Sequence, residues 1–139
     1  MFKLILAVGI LAIMMSCHDS ETKKESDKAS YELTKGNLLE KEKRHPENFL
    51  LVAGHGKHNL IGQTVVKGII SNKATVAIFK DVDVKLEFYS KTETLLETDH
   101  ETVYEVISPG QSKSFKTKYF APKGTDSVAL HVVSAKVVN

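Results

Sequence analysis

Two histidines three residues apart, His55 and His58 in the stretch AGHGKHNLIG, have a type and spacing that could hold a metal ion. Imidazole nitrogens are common zinc ligands, and a spacing of three puts two side chains on one face of a helix. The neighbouring Gly54 and Gly56 disfavour a helix, and on an extended strand the two histidines point to opposite faces. We therefore interpret both as solvent-exposed loop histidines and expect no metal site.

A second group that could do chemistry is Asp99, His100 and Glu101, which lie in a polar patch. With a serine nearby, an acid and a histidine are the ingredients of a hydrolase triad. The chain contains no G-x-S-x-G nucleophile elbow, and no G-K-[ST] follows its glycines as a phosphate loop requires. We expect no catalytic residue and no enzyme, with a small hydrolase or a metal-binding protein left open as alternatives.

Tyrosine side chains are the candidate partner-facing groups, and we single out Tyr89 and Tyr104. Alternation along the segment that ends at Tyr89 puts its ring on the outer face, beside an inward-facing Phe88. Aromatic rings on a sheet face bind ligands or cover a partner. The alternative is that these rings pack against cross-strand neighbours.

The only cysteine, Cys17, follows the apolar opening MFKLILAVGILAIMMS. The opening has a positive charge at Lys3 and then an apolar run over residues 4–15, which is typical of a signal peptide. A helix of that length spans about 18 Å, whereas the hydrocarbon core of a bilayer is about 30 Å thick. We assign residues 1–16 as a cleaved signal peptide; one cysteine also excludes an internal disulfide.

The residues Met14, Met15 and Ser16 before Cys17 resemble the lipobox of bacterial lipoproteins. The resemblance implies cleavage before Cys17, a diacylglyceryl group on its thiol and an acyl chain on its new amine. These chains would attach the protein to the membrane, and no other cofactor is expected. The alternative is an ordinary signal peptide or a signal anchor with an incidental cysteine.

The stretch FLLVAGHGKHNLIGQTVV at 49–66 resembles uncharacterised lipoproteins of the Bacteroidetes type, which implies an outer-membrane lipoprotein. Acidic residues soon after the lipidated cysteine, here Asp19 and Glu21, direct some of those proteins to the cell surface. The periplasmic face of the outer membrane and the cell surface both stay open as locations.

Residues 17–47 are predicted to be a disordered tether that carries the lipidated Cys17. Acids and bases nearly cancel there, and apolar residues are sparse. The whole chain has a net charge of +2, with lysines and acids interspersed, so we expect its basic excess to have no focus. Arg44 is the only arginine, which argues against bidentate phosphate or base recognition and hence against nucleic acid as a partner.

Residues 48–139 are predicted to be an antiparallel β-sandwich of about seven strands. Residues 82–88 read VDVKLEF, in which apolar residues alternate with charged ones, as expected for a half-buried strand. Further strands are predicted at 49–53, 64–71, within 95–107, around 115–119 and at 127–138, with a bulge near Ser134 and a bulge or close packing at Gly68. Polar turns, among them Ser-Pro-Gly at 108–110, separate these segments, and no helical period lies between them.

Three elements carry a resemblance to the FxLYD-like and related immunoglobulin-like domains of prokaryotic envelope proteins. They are G-x-I-x-N at 68–72, V-x-V-x-L-x-F-Y at 82–89 and P-G-x-S-x-x-F at 109–115. The resemblance covers residues 60–138 and implies an immunoglobulin-like envelope binding module. We therefore expect a non-catalytic binding or adaptor module whose partner is another envelope protein or a glycan. The alternative is an accessory subunit of an envelope assembly.

Overall fold

The computed structural model describes residues 20–138 and the side chains of residues 24–138, so the predicted signal peptide and Cys17 lie outside the described residues. Within that range the chain forms one α-helix, one short 3-10 turn and six strands. They are α1 (Ser20–Arg44), the turn Pro46–Asn48, β1 (Leu50–His58), β2 (Thr64–Asn72), β3 (Phe79–Ser90), β4 (Leu95–Val103), β5 (Ser112–Tyr119) and β6 (Thr125–Val137).

The six described strands make two three-stranded antiparallel sheets, which confirms the predicted all-β sandwich with six strands where about seven were expected. The first sheet has the order β1-β2-β5 and the second the order β4-β3-β6. The β1–β2 and β3–β4 hairpins each stay within one sheet, while the β2–β3, β4–β5 and β5–β6 connections pass between the sheets.

The core lies between the two sheets and is built on the alternation of β3. Val82, Val84, Leu86 and Phe88 are all buried, as the sequence pattern predicts. They face Val66 and Ile70 of β2 among other apolar side chains of the first sheet. Burial of each of these side chains contributes roughly 1.5–3 kcal/mol to the free energy of folding. With four of them, β3 supplies the main apolar layer of the second sheet.

Asn72, the last residue of β2, is fully buried and ties three segments together. Its side-chain amide donates to the carbonyl oxygens of Ala77 and Ile107 at 2.9 Å each, and its Oδ1 accepts from the Ala74 N–H at 2.8 Å. Ile107 was expected to end a strand that continues through Tyr104, but β4 stops at Val103. Ile107 instead forms an isolated antiparallel bridge with Phe79.

Two predicted irregularities are present. The register between β3 and β6 shifts so that Asp83 pairs with Ser134 and Val84 pairs with Val132, which leaves Val133 as the bulged residue. Gly68 is a close-packing point, since a Cβ atom there would lie 2.4 Å from the ring of Phe115.

The segment predicted as a disordered tether is a helix over Ser20–Arg44, so that prediction was wrong for these residues. Glu, Lys, Leu and Ala are strong helix formers, and 25 residues exceed the length at which an isolated helix is marginal. Lys41, Lys43 and Arg44 in the last turn also suit the negative end of the helix dipole. In the described part of the chain, no helix combines the length and the apolar character needed to cross a membrane.

The compact unit that contains the sandwich begins at Leu33 and so includes the last turns of α1. Within this unit Leu39 packs on the core, and the buried Glu42 accepts hydrogen bonds from the backbone N–H groups of Thr75, Val76 and Ala77 at 2.7, 3.0 and 2.7 Å. One carboxylate thus accepts from three backbone N–H groups of the loop before β3 and holds this loop against the helix.

Candidate binding face

The outer face of the first sheet collects basic side chains from three strands. The registers place His55 of β1, Lys67 of β2 and Lys116 of β5 in one cross-strand row. In the next row Lys57 and Lys118 flank Val65. The inward-facing neighbours Val66 and Ile70 are buried, so period two turns all five basic groups toward solvent, where they are exposed. We call this surface the basic face.

The basic face holds unbalanced charge. None of the outward positions of β1, β2 and β5 carries an acid, and within residues 24–138 none of these five basic groups has a salt bridge. Like charges directly opposite one another across strands are unfavourable. A bound anion would relieve that repulsion.

The outer face of the second sheet is the opposite case, because its charges neutralise one another. Glu87 binds Lys85 at 2.7 Å and His131 at 3.2 Å, and Asp83 binds His100 at 3.1 Å. The hydrogen bond from Lys85 lowers the pKa of Glu87, and this outweighs the effect of its partial burial. The two sheets therefore differ in what they leave available to a partner.

Two adjoining depressions lie on the basic face. The larger, of about 440 Å³, has the glycine pair Gly54 and Gly68 and the ring of Phe115 in its lining, with Ala53, Ile69 and Ser114 at its edge. The smaller, of about 300 Å³, lies toward Lys57 and Val65. His55, Lys67 and Lys116 line both depressions, so the basic row runs between them.

His55 and His58 lie in strand β1, which corrects their interpretation as loop residues. The strand runs on through both glycines because these allow close packing: a Cβ at Gly54 would lie 2.7 Å from Leu130, and one at Gly56 would lie 2.9 Å from Val128. His58 lies on the inward side, where Nε2 donates to the Thr125 carbonyl at 3.1 Å and Nδ1 bonds the Thr64 hydroxyl at 3.1 Å. His55 belongs to the basic row instead.

Asp99, His100 and Glu101 do not form a triad, because alternation along β4 puts the His100 side chain on the outer face and those of Asp99 and Glu101 on the opposite face. His100 bonds Asp83 on the outer face. Glu101 faces the other sheet and accepts from Tyr119 at 2.6 Å and from Thr117 at 3.1 Å. No group of three or more His, Cys, Asp or Glu side chains suited to a metal occurs among the described residues.

Tyr89 and Tyr104 are not brought together, since they lie near opposite ends of the β3–β4 hairpin. Tyr89 is half-buried on the outer face of the second sheet and donates to Glu87 at 3.2 Å. Its burial, followed by this hydrogen bond, raises the pKa of Tyr89. Tyr104 follows β4 directly and is 81% exposed.

The basic excess was expected to have no focus, and the basic face corrects that expectation. The one available signal was the stretch KSFKTKY, in which Lys116 and Lys118 alternate with Phe115 and Tyr119. That pattern places two lysines on one face of β5. It does not show that β5 pairs with β2, which brings in Lys67.

Comparison of the chain with protein-family models, with curated proteins and with solved structures gives no match.

Proposed function

We propose that this protein is a lipid-anchored protein of the bacterial cell envelope, an outer-membrane lipoprotein attached through Cys17. Its immunoglobulin-like, FxLYD-like sandwich is a non-catalytic binding module, and the ligand is an acidic glycan held on the basic face. The observation that carries the proposal is the group of five basic side chains on one sheet face with no acid among the outward positions of the three strands.

An acidic glycan fits this face better than nucleic acid does. The lysine ammonium group is a point charge that binds carboxylate, sulfate and phosphate alike. Recognition of nucleic acid relies instead on bidentate arginine guanidinium groups and exposed aromatic rings. The chain has one arginine, Arg44, and it lies on α1. Two adjoining depressions joined by a basic row suit an elongated ligand with repeating units and anionic groups.

The binding test uses oligogalacturonate as the acidic probe and its methyl-esterified form as the neutral control. The double variant Lys67→Gln/Lys116→Gln is compared with Lys43→Gln/Lys91→Gln, which removes the same charge at exposed positions outside the face. Loss of two exposed charge contacts weakens binding by about 2- to 30-fold. We expect this loss only for the first pair, with affinity that falls as salt rises. Equal binding of the neutral probe, or equal loss in both pairs, would overturn the glycan assignment.

The anchor is tested separately with Cys17→Ser. We expect this substitution to abolish incorporation of labelled fatty acid. Retained labelling would show that the lipid is not on this thiol. In cells, a photo-crosslinker at Ser114 on the basic face, compared with one at Thr98 on the second sheet, reports whether a protein occupies the face instead.

A further inference from the structure

Three large apolar side chains project into solvent at one end of the sandwich. Leu60 and Ile61 lie in the β1–β2 loop and Phe120 directly follows β5; Leu60 is fully exposed, Ile61 is 73% exposed and Phe120 is 78% exposed. The last cross-strand row of the first sheet consists of His58, Thr64 and Tyr119. The β1–β2 loop and the loop after β5 therefore leave the sheet at the same end. We call Leu60, Ile61 and Phe120 the apolar tip.

The loop that carries Leu60 and Ile61 is held in shape. The side-chain oxygen of Asn59 accepts from the backbone N–H groups of Ile61 at 3.1 Å and Gln63 at 2.9 Å. The Asn59 N–H donates to the Gln63 carbonyl at 2.8 Å, and Gly62 supplies the positive φ of 80° that the turn requires. Leu60 and Ile61 therefore cannot fold back onto the sandwich without breaking these bonds.

Lysines surround the apolar tip. Lys57 and Lys118 lie on the last outward row of the first sheet, and Lys123 lies in the same loop as Phe120. Asp126 is an exposed acid near them, at the start of β6. Apolar side chains bordered by cations are the composition of surfaces that enter the interface of an anionic bilayer.

We propose that the apolar tip inserts into the surface of a bilayer that contains anionic phospholipid, with the flanking lysines on the headgroups. A second copy of the chain is a poorer occupant, because three side chains, only one of them aromatic, bury less than the roughly 600 Å² of three buried aromatic rings. A stable dimer buries about 800 Å² on each partner. This contact is independent of the lipid on Cys17, and it shares Lys57 and Lys118 with the basic face.

The absence of tryptophan from the sequence allows a test specific for the tip. In the full chain with Cys17→Ser, Leu60→Trp introduces a single indole at the tip, and Leu33→Trp introduces one at an exposed position of α1. Vesicles contain equal amounts of phosphatidylglycerol and phosphatidylcholine, or phosphatidylcholine alone. We expect a blue shift and quenching by brominated acyl chains for Leu60→Trp with the anionic vesicles, and neither for Leu33→Trp.

Adding Lys57→Gln and Lys118→Gln to the Leu60→Trp chain should raise the lipid needed for a half-maximal shift by roughly tenfold or more. Phe120→Trp repeats the measurement from the other loop. No shift with anionic vesicles for either tip reporter would overturn the proposal. So would an equal shift with phosphatidylcholine alone, or a shift that depends on protein concentration without lipid, which indicates self-association. These readouts come from the tip and are unaffected by whether Cys17 carries lipid.

Discussion

The Glu42 carboxylate lies 2.7 Å from the backbone nitrogen of Ala77 and thereby joins the last turns of α1 to the loop that opens β3. Only 2% of Glu42 is exposed, and the same carboxylate also receives the N–H groups of Thr75 and Val76. A buried charge is tolerated here because three backbone donors replace its water shell. The last turns of α1 and the sandwich are therefore coupled through this side chain as well as through Leu39.

Glu42→Gln should reduce the free energy of unfolding by about 2 kcal/mol, because a glutamine can accept through only one of its two terminal atoms. Its NH₂ group would face a backbone N–H and leave that donor unpaired. Urea denaturation measures the loss, and amide hydrogen exchange at Thr75 and Ala77 localises it. Glu40→Gln, an exposed change on the same helix, should leave both measurements unaltered; an equal effect of the two substitutions would contradict the role of Glu42.

The lowered pKa of Glu42 also predicts how the stability of the protein depends on pH. Burial alone would raise the pKa of Glu42, but hydrogen bonds from the backbone of Thr75, Ala77 and Val76 outweigh it and lower the pKa below its ordinary value of 4.5. A depressed pKa in the folded state stabilises the protein above pH 4.5, and this contribution is lost as the pH falls through the lowered pKa. The stability difference between wild type and Glu42→Gln should therefore narrow as the pH falls from 7 toward 3. A constant difference would show that folding does not shift the pKa of Glu42, which would contradict this prediction.

Asn72→Ala should cost about 3 kcal/mol, because it leaves the Ala77 carbonyl and the Ala74 N–H unpaired in the core. It also removes one of the two hydrogen bonds to the Ile107 carbonyl, which keeps the Phe79 N–H as a donor. The partners belong to Ala74, Ala77 and Ile107, so the β2–β3 loop and the segment before β5 should loosen together. Chemical denaturation and hydrogen exchange of the Ala74 amide report the two effects. The matched control is Asn48→Ala at an exposed site, for which we expect a change within about 0.5 kcal/mol.

The fold could be predicted where the information is local, and β3 shows this best. Alternation over residues 82–88 alone identifies the buried face, and the phase change near Ser134 alone locates the bulge. The helix was missed for a related reason: α1 lacks an apolar stripe, so periodicity gives no signal and only residue propensity favours it. The docking of Glu42 depends on a loop more than 30 residues away, which no local pattern reveals.

The candidate site was less predictable, because the basic face depends on strand pairing. Lys67 and Lys116 become neighbours only when β2 pairs with β5 across two intervening strands of the other sheet. Each lysine by itself is an ordinary outward residue of a half-buried strand. Tyr89 shows the converse: alternation correctly gave its outer face, but its bond to Glu87 depends on how the neighbouring charges are arranged.

Tyr119 and Glu101 join the two sheets along one edge, and Tyr119→Phe should cost about 1–2 kcal/mol through loss of this hydrogen bond. The ring contact with Phe88, at 5.8 Å between centroids, would remain. Tyr104→Phe, at an exposed site, should have no effect on urea denaturation. Burial, and then the bond to Glu101, raise the pKa of Tyr119 well above its ordinary value of 10.0.

Because the folded state holds the Tyr119 proton more tightly than the unfolded chain does, its contribution to stability is complete below pH 10.0 and declines at higher pH. Titration of phenol absorbance should therefore show a late component that Tyr119→Phe removes and Tyr104→Phe retains. Removal of the late component by neither variant would contradict the bond to Glu101.

Three glycines should respond to alanine in a fixed order, because their surroundings differ. A Cβ at Gly54 would lie 2.3 Å from the backbone oxygen of Lys67, which cannot move without disturbing the β1–β2 pairing. A Cβ at Gly68 would meet the ring of Phe115, a half-buried side chain that can shift outward at a cost of about 1–3 kcal/mol. Gly36 lies in α1 with nothing within 4 Å of an added Cβ, so alanine there should stabilise the protein by about 0.5–1 kcal/mol.

Denaturation midpoints should therefore fall most for Gly54→Ala, less for Gly68→Ala, and rise for Gly36→Ala. Phe115→Leu should recover part of the loss caused by Gly68→Ala in the double variant, since the smaller side chain vacates the space that the new methyl group needs. It should recover none of the loss at Gly54, where the obstructing atom is backbone. Recovery at both positions would show that the first sheet relaxes as a whole. Recovery at neither would show that the close contact of Gly68 with Phe115 does not set the packing of this sheet.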